Sequence, residues 1–407
     1  MTDPTGSSFL SYRRERSAEA ALLISAQREV GIPTWRDVDD LDQEPTEDAL
    51  RELFQGSSVA NAILWLTPGV QQSPVIRRVE ARLILERSRQ DNDFFVVPVA
   101  AGGFSYDEAA EAIKDDIGIE DLRTWNMVRA EIDPIDSAFA DEVAALVLTR
   151  RVAAFHKRMP AGQPLTLAIY TRGGVPSVPG TSLTLDWTHR FQGREAPPDI
   201  WSQYLLPSLE TVVQKLQESA AGRAVVAHGL LSIPAAVALG HAFLAPIGIN
   251  ISWEQQTAGR PNQLWSLDAP AEDSGFVART TSGETSANDL AVLVSVNVDV
   301  ADAVNASRVD LPGFRAYVQV THRDSGRNDP IDTPGEAAHV ARLVASATRK
   351  ARSTYNIRGN VHLFMAVPVG IALLIGQLLN TLGAVQTYEH IQDGATGYYR
   401  PAASLGR

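Results

Sequence analysis

Cysteine is absent from all 407 residues. That excludes a disulfide framework, a thiolate nucleophile and any Cys-ligated metal, and it fits a reducing cytoplasm. Histidine is scarce, and neither a His-x3-His pair nor a carboxylate cluster shows metal-ligand spacing, so no metal site is expected. Positive charge is in deficit: 36 Lys and Arg stand against 48 Asp and Glu, a formal net charge of −12. Sequence-independent DNA binding needs a basic face and is therefore not expected. A small anionic ligand remains open, because a few cations and the N–H groups of a helix start suffice to hold one. Long hydrophobic runs are missing too. The longest, Ala366 to Leu379, falls short of the ~20 residues that span a bilayer and reads as a buried helix, so no membrane association is expected. The opening MTDPTGSSF lacks the basic-then-apolar layout of a secretory leader.

What is present includes a repeat. The stretch Val225 to Gly240, VVAHGLLSIPAAVALG, returns as Val361 to Gly376, VHLFMAVPVGIALLIG. His228 and His362 are 134 residues apart, as are Pro234 and Pro368, and an aromatic-Glu pair closes the next strand of each copy 135 residues apart, Trp253-Glu254 and Tyr388-Glu389. An apolar strand precedes each copy, at Leu165 to Thr171 and Leu290 to Val296. Agreement over that distance indicates two similar α/β half-domains facing each other. They are expected over about 165–275 and 288–407, joined by a polar Ser/Thr/Gly-rich stretch from Ala271 to Asn288. A long helix precedes the His-bearing strand in each, Asp199 to Ala221 and Pro334 to about Tyr355.

The first 160 residues alternate strand and helix in the doubly wound manner. Strands are expected at Phe9 to Tyr12, Ile32 to Trp35, Ala62 to Leu66 and Phe94 to Val99, with an edge strand at Thr124 to Val128. Helices are expected at Ser17 to Val30, from Thr46 through Leu53, at Pro74 to about Arg89, and from an Asp136 cap to about Lys157. The Pro/Gly segment Met159 to Pro164 marks the domain boundary.

Four features of that first region stand together: FLSYRR at 9–14, the acidic loop following Trp35-Arg36-Asp37, ILWLTP at 63–68, and SPVIRRVE at 73–80. With them the region resembles the TIR domain, a flavodoxin-like fold, over residues 8–158. One departure is that Ile76-Arg77 stands where that family usually has Trp-Cys. The resemblance implies cleavage of the nicotinamide–ribose bond of NAD, with Glu80 as the catalytic glutamate. A carboxylate at the ribose stabilises the positive charge that develops as the N-glycosidic bond breaks. Phe9, Ser11 and Arg13 at the carboxyl end of the first strand, Trp35 and Arg36 at the start of the acidic loop, and Ser73 before the helix are the candidate NAD contacts. On the residues alone, Glu80 reads first as a helix-surface partner of Arg77, a reading that the TIR-like frame reverses, and Trp35 reads equally as core. Glu86 is the rival carboxylate and lies about 240° round the helix, so the two do not face one pocket.

The duplicated block, with LTLDWTHRF at 183–191, His228-Gly229, Trp253, Trp265, His362, Phe364, Pro368, Tyr388, Tyr398, Tyr399 and Pro401, resembles the SAVED domain over about 165–401. That domain is a fusion of two CARF-like, Rossmann-like half-domains that binds cyclic oligonucleotides in bacterial anti-phage signalling. Two facing halves gather strand ends and helix starts at one crevice, where backbone N–H groups hold phosphate without net positive charge. The candidate nucleotide contacts are His228, Gly229, Trp253, Trp265, His362, Phe364, Pro368 and Tyr388. The two histidines read equally as core, and Trp253 and Trp265 as core or as base platforms.

Together the resemblances imply a TIR domain at 1–160 followed by a SAVED sensor at 165–407. The chain is then expected to be a cytoplasmic NAD glycohydrolase activated by a cyclic oligonucleotide, cyclic tri-adenylate first, with NAD as substrate and no cofactor. Ligand-driven self-association into oligomers or filaments would let neighbouring TIR domains complete one another's site. The alternatives are a non-catalytic adaptor gated by the nucleotide and an enzyme that degrades the nucleotide itself.

Overall fold

Apolar strands and amphipathic helices alternate along the chain and fold into parallel-rich α/β layers. The computed structural model describes residues 2–35, 47–73, 75–117, 122, 125–176, 180–220, 222–244, 248–256, 261–270, 272–307, 310–324, 331–393 and 396–406. Two units result: Met1–Ala161 with Pro179–Leu185 and Gln214–Ala220, and Gly162–Val178 with Asp186–Val213 and Ala221–Arg407. Among the described residues, no helix is long and apolar enough to cross a membrane.

The first unit is built on strands β1 (Ser7–Ser11), β2 (Thr34–Trp35), β3 (Val59–Leu66), β4 (Phe95–Ala100) and β5 (Val128–Arg129). Their order is β2-β1-β3-β4-β5, every neighbour parallel. This is the flavodoxin-like order, whose direction reverses between β1 and β3. All eight residues of β3 are buried, as a strand covered on both faces requires. Around the sheet run α1 (Ser17–Glu29), α2 (Glu47–Gln55), α3 (Ala81–Gln90), α4 (Tyr106–Ile117) and α5 (Ser137–Arg158). As expected, the Asp136 side chain caps α5, accepting from Phe139 N at 3.0 Å. The edge strand expected from Thr124 is the two-residue β5, Thr124 itself lying outside the described residues. Helix α4 is an addition, and its signal was local. Ser105 Oγ accepts from Glu108 N at 3.2 Å while Glu108 Oε2 accepts from Ser105 N at 2.9 Å, a reciprocal cap.

The second unit carries the duplication. Strands β6 (Leu165–Tyr170), β7 (Val225–Leu230), β8 (Ile251–Gln255) and β9 (Gln263–Trp265) run in the order β9-β8-β7-β6, parallel except for β9. A second sheet holds β10 (Phe276–Ser282), β11 (Asp289–Ser295), β12 (Phe314–His322), β13 (Val361–Ala366), β14 (Val385–Asp393) and β15 (Thr396–Leu405). Its order is β10-β12-β11-β13-β14-β15, with antiparallel pairs only at the two edges. The polar stretch read as a joint between halves thus contains edge strand β10. Its Thr-rich end suits an exposed strand, since β-branched side chains favour the pleat whether or not they are buried.

The helices of this unit are α6 (Leu206–Ser219, of which the part through Val213 belongs here), α7 (Ile233–Ala242), α8 (Ala301–Ala306), α9 (Pro334–Thr354) and α10 (Val369–Gly376). The helix expected from Asp199 is continuous but passes through a π-helical turn, Trp201–Leu205, just ahead of Pro207, which has no N–H to return to the preceding turn. Helices α7 and α10 are the repeat's own elements and pack on each other. A Cβ added at Gly240 would stand 2.0 Å from the Leu373 carbonyl oxygen, and one added at Gly376 would stand 2.3 Å from that of Val237. The contact is reciprocal, as the duplication requires, and only the missing side chains let the two backbones come this close.

Candidate functional site

The parallel strands of both halves point their carboxyl ends into one cavity of about 470 Å3. Arg172 comes from beyond β6, Leu231 and Ile233 from the β7–α7 turn, Asn297 and Asp299 from beyond β11, and Pro368 from the β13–α10 turn. Crevices at strand ends are where open α/β sheets bind ligands. Two helices begin there. Ser232 caps α7, its hydroxyl accepting from Ala235 N at 3.3 Å and its own N–H donating to Thr171 Oγ1 at 2.9 Å. Pro368 stands at the N-cap of α10. Helix starts and the guanidiniums of Arg172 and Arg194 make this region suited to an anion although the chain as a whole is acidic.

A larger cavity of about 810 Å3 lies elsewhere in the same unit. Among the described residues it is lined by Asp199 and Glu210 with no Lys or Arg, and it meets the carboxyl end of α7 at His241 and Ala242. That helix end carries the negative pole of the macrodipole. Charge and dipole both oppose an anion here, so the smaller cavity is the nucleotide candidate despite its size.

Of the eight residues expected to touch nucleotide, the structure places Pro368 at the smaller cavity. Trp253 and Trp265, 4% and 1% exposed, face each other across β8 and β9. They pack under the start of α10: a Cβ on Gly370 would meet Trp265 at 2.6 Å and Trp253 at 2.9 Å. His362, Phe364 and Tyr388 form a buried stack. Phe364 lies on Tyr388 with ring centroids 4.3 Å apart, His362 Nδ1 is 2.6 Å from the Tyr388 hydroxyl, and His362 Nε2 is 3.3 Å from Asp289 Oδ2. Burial pushes the His362 pKa down, with Asp289 opposing, and pushes the Tyr388 phenol up. His228 is half-buried in β7, its pKa lowered by burial against the pull of Glu254. Gly229 has φ of +135° and no room for a Cβ against the Ile169 carbonyl, so its part is in the backbone.

The polar residues that do line the cavity were not singled out from sequence. Arg172 follows β6 directly, Asn297 and Asp299 follow β11, and Arg194 precedes the α6 helix run. Each strand's exit was the available signal, since ligands meet strand ends. Glu389 was visible as the second half of the repeated aromatic-Glu pair. It is 8% exposed, its Oε2 has no hydrogen-bond partner among the described residues, and burial drives its pKa up to about 7 against the pull of Arg194 and Arg172.

In the first unit, Ser11, Arg13 and Ser73 lie at or beyond the exits of β1 and β3, where strand order reverses. Ser11 ends β1, buried, with a hydroxyl that has no partner among the described residues. The Arg13 guanidinium crosses to the loop after β3 and donates to the Gly69 carbonyl, and it pairs with Glu15 at 2.8 Å. Ser73 Oγ accepts from Ile76 N at 3.4 Å and so opens the helical run. Phe9 is buried within β1, stacked on Trp35 at 5.1 Å and edge-on to Phe54 at 5.0 Å. Glu80 closes a π-helical turn, Ile76–Glu80, and is 9% exposed. π-Helical turns are rare and concentrate at functional sites. Glu86, by contrast, is paired with Arg82 at 2.7 Å on the exposed side. Arg36 and the acidic loop after it lie outside the described residues.

Residues 209–405 match the family model described as SAVED, SMODS-associated and fused to various effectors sensor domain. That stretch is a SAVED domain. Among solved structures the chain is similar to the Cap4 SAVED/CARF-domain containing receptor of Acinetobacter baumannii, solved with the cyclic trinucleotide 3'3'3'-cAAA. Identity is 14% and the TM-score 0.51, over 98% of this chain and 80% of that one. It is also similar to the Cap4 SAVED/CARF-domain containing receptor of Moraxella osloensis, at 12% identity and a TM-score of 0.45, over 96% of this chain and 99% of that one. Identity this low speaks to fold alone. No curated protein matches the chain.

Proposed function

We propose that this chain is a cyclic-oligonucleotide-activated NAD glycohydrolase of bacterial anti-phage signalling, a TIR domain governed by its SAVED domain. The observation that carries the sensing half is the cavity at the facing strand ends, with two helix starts and two arginines in a SAVED domain. A cyclic trinucleotide of adenines is the ligand of first choice, as in the Acinetobacter baumannii receptor. The catalytic half is supported by the TIR-like motifs, the flavodoxin-like strand order and a buried glutamate in the π-helical turn that follows β3. There Glu80 holds the ribose and stabilises its developing positive charge as nicotinamide leaves, while the Ser11 hydroxyl and Ser73 flank the substrate's ribose and phosphates.

Ligand-driven self-association completes the site. In the single chain Arg13 is held by the Gly69 carbonyl across the loops at the switch point, an arrangement that fits a resting state. Release of Arg13 toward substrate phosphate then accompanies assembly. The test is Glu80→Gln, which keeps the side chain's size and removes its charge. Nicotinamide release should fall at least about 100-fold with nucleotide binding unchanged, whereas Glu86→Gln should keep its rate. Near-normal turnover by Glu80→Gln refutes the assignment, and wild-type protein that binds cyclic nucleotide without cleaving NAD favours the adaptor.

A further inference from the structure

A carboxylate is an odd neighbour for phosphates. Glu389 stands at the middle of β14, 8% exposed, lining the same cavity as Arg172 and Arg194, and its Oε2 has no hydrogen-bond partner among the described residues. An ionised carboxylate there repels the anion that the arginines attract, so its use lies in something other than holding phosphate.

We propose that Glu389 is the specificity-determining residue of this cavity, admitting adenine by presenting a protonated carboxyl to the base edge. The inference rests on the nucleotide-sensor reading above and adds which side chain reads the base. A neutral carboxyl offers one donor and one acceptor on the same fork. Adenine answers with its N6 amino donor beside a ring-nitrogen acceptor. Guanine answers to both charge states: its O6 acceptor beside the N1–H donor fits the neutral fork, and its adjacent N1–H and N2 donors fit an ionised carboxylate, for which adenine has no matching pair of donors. The charge state of this side chain thus decides whether adenine is accepted.

The surroundings favour the neutral state once ligand is bound. Burial is the largest influence and raises the Glu389 pKa to about 7, while Arg194, Arg172 and the Ser232 hydroxyl pull it down and Glu195 pushes it up. Phosphates that engage Arg172 and Arg194 cancel most of the pull, and a filled cavity deepens the burial. The other facing groups do not offset this. His390 on the same strand is held toward neutrality by burial and Arg194. The Tyr399 phenol is pushed up by burial and by Glu389 itself. Arg400, opposite Glu389 on β15, is exposed and paired with Glu195 at 2.8 Å. Asp299 is occupied in accepting from Ala301 N at 2.9 Å. Binding of an adenine ring therefore takes up a proton.

The experiment is calorimetry on the full chain with cyclic tri-adenylate and cyclic tri-guanylate, each with 3'3'3' and with 2'3'3' linkages, from about pH 6 to pH 8. With a pKa of about 7 in the free protein, the protonated fraction falls about tenfold over that range, and the Kd for cyclic tri-adenylate should rise about tenfold with it. Glu389→Gln is a permanent neutral fork of one donor and one acceptor. It should bind cyclic tri-adenylate within about twofold of the wild type's acid-side affinity, without pH dependence, while Glu389→Ala should lose about tenfold or more. Cyclic tri-guanylate, whose base pairs with either charge state, should show no such loss as pH rises. A pH-independent wild-type Kd, or a Gln variant as weak as the Ala variant, overturns the role of Glu389 and leaves the sensor standing. Wild-type protein that binds neither ring at any pH overturns the sensor reading, and this inference falls with it.

Discussion

The two copies of the repeat invite comparison at their aromatic-Glu pairs. In the first, Trp253 is core beneath α10, and Glu254 is a partly exposed strand residue bonded to Asn262 at 3.0 Å. In the second, Tyr388 is core beside His362, and Glu389 is buried at the wall of the cavity. The aromatic keeps its structural part in both copies while the glutamate changes its part. Duplication therefore supplied a symmetric frame, two sheets and two helices locked through paired glycines. The site arose where one copy's polar residue was turned inward and the other's was left outside. The arginines show the same asymmetry, both coming from the first half to meet a glutamate of the second.

The largest expected effect tests the shared part of that frame. Gly240→Val and Gly376→Val each drive a side chain into a backbone carbonyl of the other helix and should each destabilise by at least about 3 kcal/mol, read from chemical denaturation. Equal losses confirm the reciprocal contact, and a large loss at one glycine alone would mean the halves are not equivalent there. Next comes the divergent histidine pair. His362→Ala removes the partner of the buried Tyr388 hydroxyl and should cost about 2 kcal/mol. His228→Ala, in a half-buried position, should cost under about 1 kcal/mol. Similar losses at both would erase the distinction between the copies.

The smallest effects come with pH. The folded-state pKa of His362 lies below its ordinary 6.5, because burial disfavours the cation. The unfolded chain then takes up a proton that the folded chain declines, so this contribution is full above about 6.5 and is lost as pH falls below it. Glu389 runs the other way. Its pKa is raised from 4.5 to about 7, so its contribution is full below 4.5 and is lost as pH rises through about 7. Thermal unfolding should therefore show Glu389→Gln more stable than the wild type by about 1 kcal/mol near pH 8, with the gap closing near pH 5. A gap between variant and wild type that stays constant from about pH 5 to about pH 8 would sink the claim that Glu389 is buried as a carboxyl.

Much of the frame was legible in the chain itself. Apolar runs such as Ala62 to Leu66 can only be strands covered on both faces, the Asp136 cap starts α5 where it must, and the spacing of His, Pro and Ala declared the duplication. These signals are local or periodic, and each residue type has few conformations that suit it. The repeat also brought out Trp253, His362 and Tyr388, and the family resemblance Trp265, because large aromatic side chains mark a pattern whether they face a ligand or the core. Only the tertiary structure decided between those two fates. It buried them because Gly370 lets α10 settle on the tryptophans and because Asp289 and Phe314 close over His362. It likewise chose Arg172, Arg194 and Glu389 for the cavity. Those three lie far apart in sequence, and their meeting depends on how strand exits from two half-domains converge, which no spacing along one chain records.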